Sequence, residues 1–173
     1  MKISIIAAMT KDLIIGAGNK LPWKIPEELQ YFKLVTSNKP IIMGGNTFVS
    51  INQKPLPNRF NIVLTRDLKK FNNQPEMVVA KDLSFASNIN ESLSLARDFY
   101  LDKKTDIEPE EIMIIGGREI YKQFLPLANK LYISIIKDNY VGDILFPTYD
   151  RSLWKLNSSC EYEKFIAQTW ERY

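Results

Sequence analysis

Two apolar runs in this chain end in a glycine pair and pass at once into helical spacing, and that pattern restricts the architecture more than any other. Pro40-Ile41-Ile42-Met43 leads into Gly44-Gly45, and residues 112–115 lead into Gly116-Gly117, with Tyr121 and Phe124 on one helical stripe before Pro126. A strand that is apolar at successive positions is covered on both faces, as in a parallel sheet flanked by helices. Residues 3–9 and 61–64 read the same way, and further strands are expected over 77–80 and 131–136. Pro26-Glu27-Glu28-Leu29 opens a helix with proline at its start and Leu29, Phe32 and Val35 as its apolar positions. Asn88 and Glu91 have capping-box spacing ahead of a helix over 89–101, after which 102–110 reads as a charged, solvated loop. Residues 154–156 and 165–170 suit an antiparallel hairpin. With no Gly/Ser- or Pro-rich linker, residues 1–173 are expected to form one α/β domain. Its central twisted sheet would be mostly parallel, with an antiparallel C-terminal edge hairpin and helices on both faces.

Composition excludes several functions. The apolar N-terminal run is too short for a membrane span and is followed at once by Lys11 and Asp12. A net charge of +3, with Lys and Arg scattered, is no nucleic-acid footprint but suits an anionic small ligand. Cys160 is the only cysteine, so no intrachain disulfide is possible and a reducing, cytoplasmic setting is expected. The chain has no histidine. Zinc sites of the usual kinds and Ser-His or Cys-His nucleophiles are therefore excluded, no metal is expected, and chemistry must rest on carboxylates, Lys, Tyr or a cofactor.

Several places could carry that chemistry. Glycine turns opening helices let a backbone approach a ligand and offer N–H groups to phosphate, although most such glycines only make the turn, and neither turn here matches a full dinucleotide fingerprint. Glu28 shares a helical stripe with Phe32, so it is either a solvated carboxylate or one desolvated by Leu29 and Phe32, with a raised pKa and an acid role. Glu27 falls a hundred degrees round the helix. Gly16-Ala17-Gly18-Asn19-Lys20-Leu21-Pro22-Trp23 is a surface turn or a mobile lid. Arg59, after the rigid Pro55-Leu56-Pro57-Asn58, could aim at a carboxylate, and Arg66 is a similar candidate.

Taken in order, these segments resemble the dihydrofolate reductase family along nearly the whole chain. The pieces are Ile6-Ala7-Ala8; Ile15-Gly16 with Leu21-Pro22-Trp23; Pro26-Glu27-Glu28-Leu29 with Phe32-Lys33; and Lys39-Pro40-Ile41-Ile42-Met43-Gly44. Then come Thr47 with Ser50-Ile51; Pro55-Leu56-Pro57-Asn58-Arg59; Asn61-Ile62-Val63-Leu64-Thr65-Arg66; Ile114-Ile115-Gly116-Gly117 with Ile120-Tyr121; and Gly142-Asp143 with Phe146-Pro147. No single piece is specific, but their order and spacing are. The resemblance implies NADPH as cofactor, dihydrofolate as substrate, antifolates as inhibitors and a monomer.

It also implies roles by position. Glu28 would be the one essential acid, with Ser134 supporting it and Trp23 helping hold a water beside it. Ile6, Ala7, Leu29, Phe32, Ile51, Leu56, Ile115 and Tyr121 would line the substrate pocket, and Arg59 would pair with the substrate's α-carboxylate. Ala8, Ile15, Gly16, Asn19, Lys20 and Leu21 would frame the nicotinamide. Gly45, Asn46, Thr47, Leu64, Thr65 and Arg66 would face the adenosine phosphates. Ile115, Gly116, Gly117, Arg118, Glu119, Ile120, Tyr121 and Gln123 would carry the pyrophosphate and nicotinamide ribose. Hydride would pass from nicotinamide C4 to pterin C6 and a proton to N5, so the protein supplies positioning and one acid.

The chain departs from the family pattern in places. Gly45 stands where a basic residue is usual, which leaves more of the cofactor selectivity to Arg66. Glu28 stands where bacterial members generally have Asp. Arg118 follows the second glycine pair where bacterial relatives often have a third glycine, Ser134 replaces Thr, and the Asn52-Gln53-Lys54 turn carries an extra residue. A riboflavin-pathway reductase on the same fold should lack the Pro26-x-Glu28 helix with Phe32. A non-catalytic nucleotide-binding module gives no reason for an acid beside Phe32 or for Arg59.

Overall fold

The computed structural model describes residues 1–71, 81–103 and 110–173. Its centre is an eight-stranded sheet. The first half of the chain supplies β1 (Lys2–Thr10), β2 (Ile14–Gly16), α1 (Pro26–Thr36), β3 (Pro40–Gly44), α2 (Gly45–Ser50), β4 (Phe60–Leu64), β5 (Leu83–Ala86) and α3 (Ile89–Lys103). The second half supplies β6 (Glu111–Gly116), α4 (Arg118–Phe124), β7 (Lys130–Ile136), β8 (Ile144–Leu145), β9 (Trp154–Glu161) and β10 (Phe165–Arg172). The spatial order is β5-β4-β3-β6-β1-β7-β10-β9. Neighbours are parallel as far as β7, and β10 is antiparallel to both β7 and β9. The mostly parallel α/β sheet with its antiparallel C-terminal edge is thus as the sequence predicts.

The apolar runs fill both faces of this sheet, as continuous burial requires. Successive β1 residues alternate: Ile5, Ala7 and Met9 pack into one core with Phe124 of α4, and Ile6 packs into the other with Phe48 of α2. The capping at α3 follows the predicted box with one change. Glu91 N–H donates to Asn88 Oδ1 at 2.9 Å, but the Glu91 carboxylate reaches back to the Ser87 amide at 2.7 Å instead of to Asn88. The strand expected over 77–80, and most of the loop expected over 102–110, lie outside the described residues.

α1 corrects one expectation. Its Leu29 and Leu34 are 50% and 78% exposed, whereas Glu28 and Thr36 are buried. The helix has no side-chain N-cap, and Pro26 starts it with Glu27 and Glu28 in the first turn, where the helix dipole favours acids. α1 has its buried positions at Glu28 and Thr36, with Tyr31, Phe32 and Val35 half-buried, while Leu29 stands half in solvent.

Candidate active site

Glu28 is 7% exposed and Glu27 is exposed, which separates the two adjacent carboxylates as helical spacing predicts. Burial raises the Glu28 pKa above its ordinary value; the nearby Ser134 hydroxyl pulls it partly back. Ser134 lies on β7 opposite Ala8 of β1. Its Oγ weights the charged form without closing a hydrogen bond, and it is buried with no partner. The indole Nε1 of Trp23 is in the same condition. Trp23 is held edge-on by Tyr140, with ring centroids 5.6 Å apart. A buried donor without a partner costs about 1–3 kcal/mol, so such a group persists where water or a ligand satisfies it.

Along α1 from the acid, Phe32 packs with Ile6, Ile51, Leu56 and Ile115 around one core. Arg59 is 5% exposed and its guanidinium carbon stands 5.9 Å from the Phe32 ring centre. Its Nε donates to Pro57 O at 2.9 Å and one terminal nitrogen to Thr36 Oγ1 at 3.0 Å. Burial presses its pKa down, yet a guanidinium stays charged in proteins. Asn61 builds the turn behind it: Oδ1 accepts from the Leu56 amide at 2.8 Å, and Nδ2 donates to the carbonyls of Leu56 and Arg59 at 3.0 and 2.9 Å. A buried cation whose contacts are neutral oxygens is set to receive an anion.

The two glycine turns are neighbours, because Met43 of β3 pairs with Gly116 of β6. A Cβ at Gly44 would stand 2.9 Å from Ile120 Cγ1, and one at Gly117 would stand 3.3 Å from Thr47 Oγ1, so each turn packs on the helix of the other. Gly116, at φ +117°, lies under Tyr121, whose hydroxyl bonds the carbonyls of Ile6 and Ile115 at 2.8 and 3.0 Å. The peptide Gly116-Gly117 is cis. Neither α2 nor α4 has a side-chain cap, so the first-turn N–H groups of both are left for another partner at the carboxyl ends of adjacent strands. A diphosphate fits that arrangement. Thr65 is half-buried and Arg66 exposed at the end of β4.

The loop over 16–23 is pinned. β2 pairs with β8, the Gly18 amide donates to Asp143 Oδ1 at 2.7 Å, and Ala17 bridges Lys20. A Cβ at Gly142 would stand 2.5 Å from Ile14 Cγ2. Asn19, Lys20 and Leu21 are exposed at its tip, and Ile15 packs on the core.

Some expected residues do not converge on the cleft. Ala7 turns its side chain into the core on the opposite face from Ile6, because neighbouring strand residues alternate. Leu64 packs in the same core as Ala7. Arg118 spends one N–H on Leu145 O of β8 at 3.1 Å, and Gln123 bonds Glu119 O within its own helix at 3.1 Å. Asn46 and Glu119 are exposed. Sequence reading missed Thr36, Asn61 and Asp143 as partners of the site; an Asn inside the apolar strand Phe60-Asn61-Ile62-Val63-Leu64 was a usable signal, since a buried amide must be bonded.

Chemically, this geometry can hold a dinucleotide across two glycine turns and offer one proton beside it, which is the equipment of a nicotinamide-dependent reductase. The family model for dihydrofolate reductase matches residues 2–171. The chain is 42% identical to dihydrofolate reductase of Haemophilus influenzae over 97% of its own length and 92% of that protein. It is 39% identical to dihydrofolate reductase of Bacillus subtilis, over 91% of this chain and 82% of that one. Its structure is similar to dihydrofolate reductase from Enterococcus faecalis complexed with NADP(H) and the compound RAB-propyl. The TM-score is 0.80 at 28% identity, covering 99% of this chain and 96% of the other. The chain belongs to the dihydrofolate reductase family. It is an oxidoreductase that reduces dihydrofolate to tetrahydrofolate with NADPH, a step of one-carbon metabolism.

Proposed function

We propose that residues 1–173 act as one dihydrofolate reductase domain in which Glu28 is the proton source and the rest of the cleft positions the two reactants. The observation that carries this is the buried Glu28, its pKa raised, beside a buried Ser134 hydroxyl that among the described residues lacks a hydrogen-bond partner. NADPH, when bound, supplies the hydride. Glu28 binds the amino group and ring nitrogen of the pterin and raises the supply of protons toward N5, by way of a water that Trp23 and Ser134 hold. Ile6, Phe32, Ile51, Leu56 and Ile115 exclude water around the ring, and Leu29 covers it from the mouth. Arg59 receives the substrate's α-carboxylate as a bidentate partner. The backbone of Gly116 and Gly117 and the start of α4 receive the pyrophosphate; Thr47, Thr65 and Arg66 face the adenosine phosphates; and Ala8, Ile15 and the Gly16-to-Leu21 loop enclose the nicotinamide. We further infer that the protein works as a cytoplasmic monomer and that antifolates carrying a pterin-like amine compete at Glu28. Among the described residues, no helix is long and apolar enough to cross a membrane.

Glu28→Gln tests the assignment, because it keeps the shape and removes the proton. kcat/KM should fall by about a hundredfold or more, the usual scale of general-acid catalysis, while NADPH affinity holds. Glu27→Gln should be near neutral. Equal losses at both positions overturn the role of Glu28.

A further inference from the structure

Gly45 begins α2, and an aromatic ring stands where its side chain would grow. A Cβ there would lie 3.1 Å from Phe71 Cζ, 3.4 Å from Phe71 Cε2 and 3.6 Å from Thr65 Oγ1. Phe71 has little room to yield. It is 3% exposed, and its ring centre lies 5.7 Å from that of Phe48 on α2 and 5.5 Å from that of Phe85 on β5. A well-packed core resists such insertion, so a Cβ at position 45 needs the ring to give by a few tenths of an ångström, and a longer side chain must turn away from it.

The same ring ends a short turn that starts at Thr65. There the Thr65 amide donates to Ala86 O at 2.9 Å, and the Thr65 hydroxyl accepts from the Asp67 amide at 3.2 Å. At the far end, the Phe71 amide donates to Leu68 O at 3.1 Å. Between these anchors stand Arg66, Lys69 and Lys70, all exposed. Cations are thus carried by a turn that is fastened, through Phe71, to the start of α2.

We propose that Gly45 and Phe71 are a matched specificity pair. The ring takes the space a side chain at 45 would need, and it fixes the Thr65-to-Phe71 turn so that this turn alone distinguishes a ribose 2′-phosphate from a free hydroxyl. The inference rests on the assignment of Arg66 to the adenosine phosphates. A guanidinium recognises phosphate through two parallel bonds of fixed geometry, and a loosely held turn offers the charge without the geometry. An unphosphorylated dinucleotide lacks the 2′-phosphate and so depends far less on the order of this turn.

The test is calorimetric binding of NADP⁺ and NAD⁺ to the protein without substrate, with thermal melts to confirm folding. Phe71→Ala should weaken NADP⁺ by about three- to tenfold, the scale of losing one pre-ordered side chain, and NAD⁺ by less than about twofold. Phe71→Leu, which keeps an apolar plug, should retain most of the NADP⁺ affinity if the larger truncation unsettles the fold. Gly45→Arg alone should give no gain for NADP⁺, whereas Gly45→Arg combined with Phe71→Ala should bind NADP⁺ more tightly than Phe71→Ala. A gain from Gly45→Arg alone, or equal losses of both nucleotides on cutting Phe71, overturns the pair. Arg66→Ala separates this from its premise. Equal losses of NADP⁺ and NAD⁺ there remove Arg66 from the phosphate and take the pair with it; a loss confined to NADP⁺, with no effect at Phe71, overturns the pair alone.

Discussion

Glu28 and Glu111 are both buried, 7% and 6% exposed, and they flank opposite ends of the parallel strands of one sheet. Glu111 starts β6 and pairs with Lys2 at the beginning of β1, whereas Glu28 lies by Ser134, which pairs with Ala8 near the end of β1. Burial pushes both carboxyls toward the neutral form. At Glu111 this is outweighed: Lys39 Nζ donates at 2.6 Å and Ser4 Oγ at 2.5 Å, the Lys130 charge adds to them, and the pKa ends below its ordinary value, while Tyr132 Oη also donates at 3.2 Å. At Glu28, among the described residues, no cation answers the burial, the hydroxyl beside it has no hydrogen-bond partner, and the pKa ends above. One site is complete within the chain and is structural. The other is incomplete until something else arrives, and that incompleteness is what makes it usable for proton transfer.

The sharpest way to separate the two is to remove a partner. Lys39→Met leaves the Glu111 charge buried with its cation gone, and breaking such a pair costs about 3–5 kcal/mol. Denaturant unfolding should show that loss, while activity per folded molecule stays within about twofold. A Lys39→Met variant that folds normally but loses activity would mean that the two ends are not independent.

A smaller effect has the opposite sign at the other end. Glu28→Gln removes an acid that folding makes harder to ionise, so at pH 7 the variant should be more stable than the parent, by about 0.5–2 kcal/mol, as is common where a functional group is relieved. The pH dependence follows from the two directions. The raised Glu28 pKa contributes stability that is present below the ordinary value of 4.5 and is lost as pH rises through the folded value. The lowered Glu111 pKa contributes stability present above 4.5 and lost as pH falls through the folded value. As pH rises through the carboxylate range, Glu28→Gln should therefore become more stable relative to the parent and Glu111→Gln less stable, in opposite directions. Parallel curves would remove the distinction.

The smallest effect concerns the loop over 16–23, which we propose closes over the nicotinamide. Asp143→Ala deletes the acceptor of the Gly18 amide, an exposed bond that contributes about 0.5–1.5 kcal/mol. Closure should weaken by several-fold, read as a reduced response of Trp23 fluorescence to NADPH, with Trp23→Phe as the control. An unchanged response would detach the loop from the site.

How much of this could be read from the residues divides along the same line. The apolar runs of β1, β3 and β6 announce buried parallel strands, and helical spacing separates Glu28 from Glu27, because both signals are local. Leu29 is half-exposed although it stands on the apolar spacing of α1, because the buried positions of that helix are the polar Glu28 and Thr36. The β2–β8 ribbon is two or three residues on each side, too short for any periodicity, and it depends on Gly142 meeting Gly16 and Ile14 across the fold. The family resemblance implies a pocket role for Ala7 by position, whereas strand alternation sends its side chain to the face opposite Ile6. The Glu111 network was invisible for the same reason as the ribbon, because Ser4, Lys39, Glu111 and Tyr132 come from four separate strands or their flanks.

The most direct test of Glu28 as a proton source is the rate of hydride transfer in a single turnover, followed across pH in the parent and in Glu28→Gln. The parent rate should fall as pH rises through an apparent pKa above the ordinary carboxylate value, because only the protonated acid supplies N5. In Glu28→Gln the rate should be low and flat over that range. A variant that keeps the parent's pH profile would place the proton source elsewhere and contradict the role assigned to Glu28.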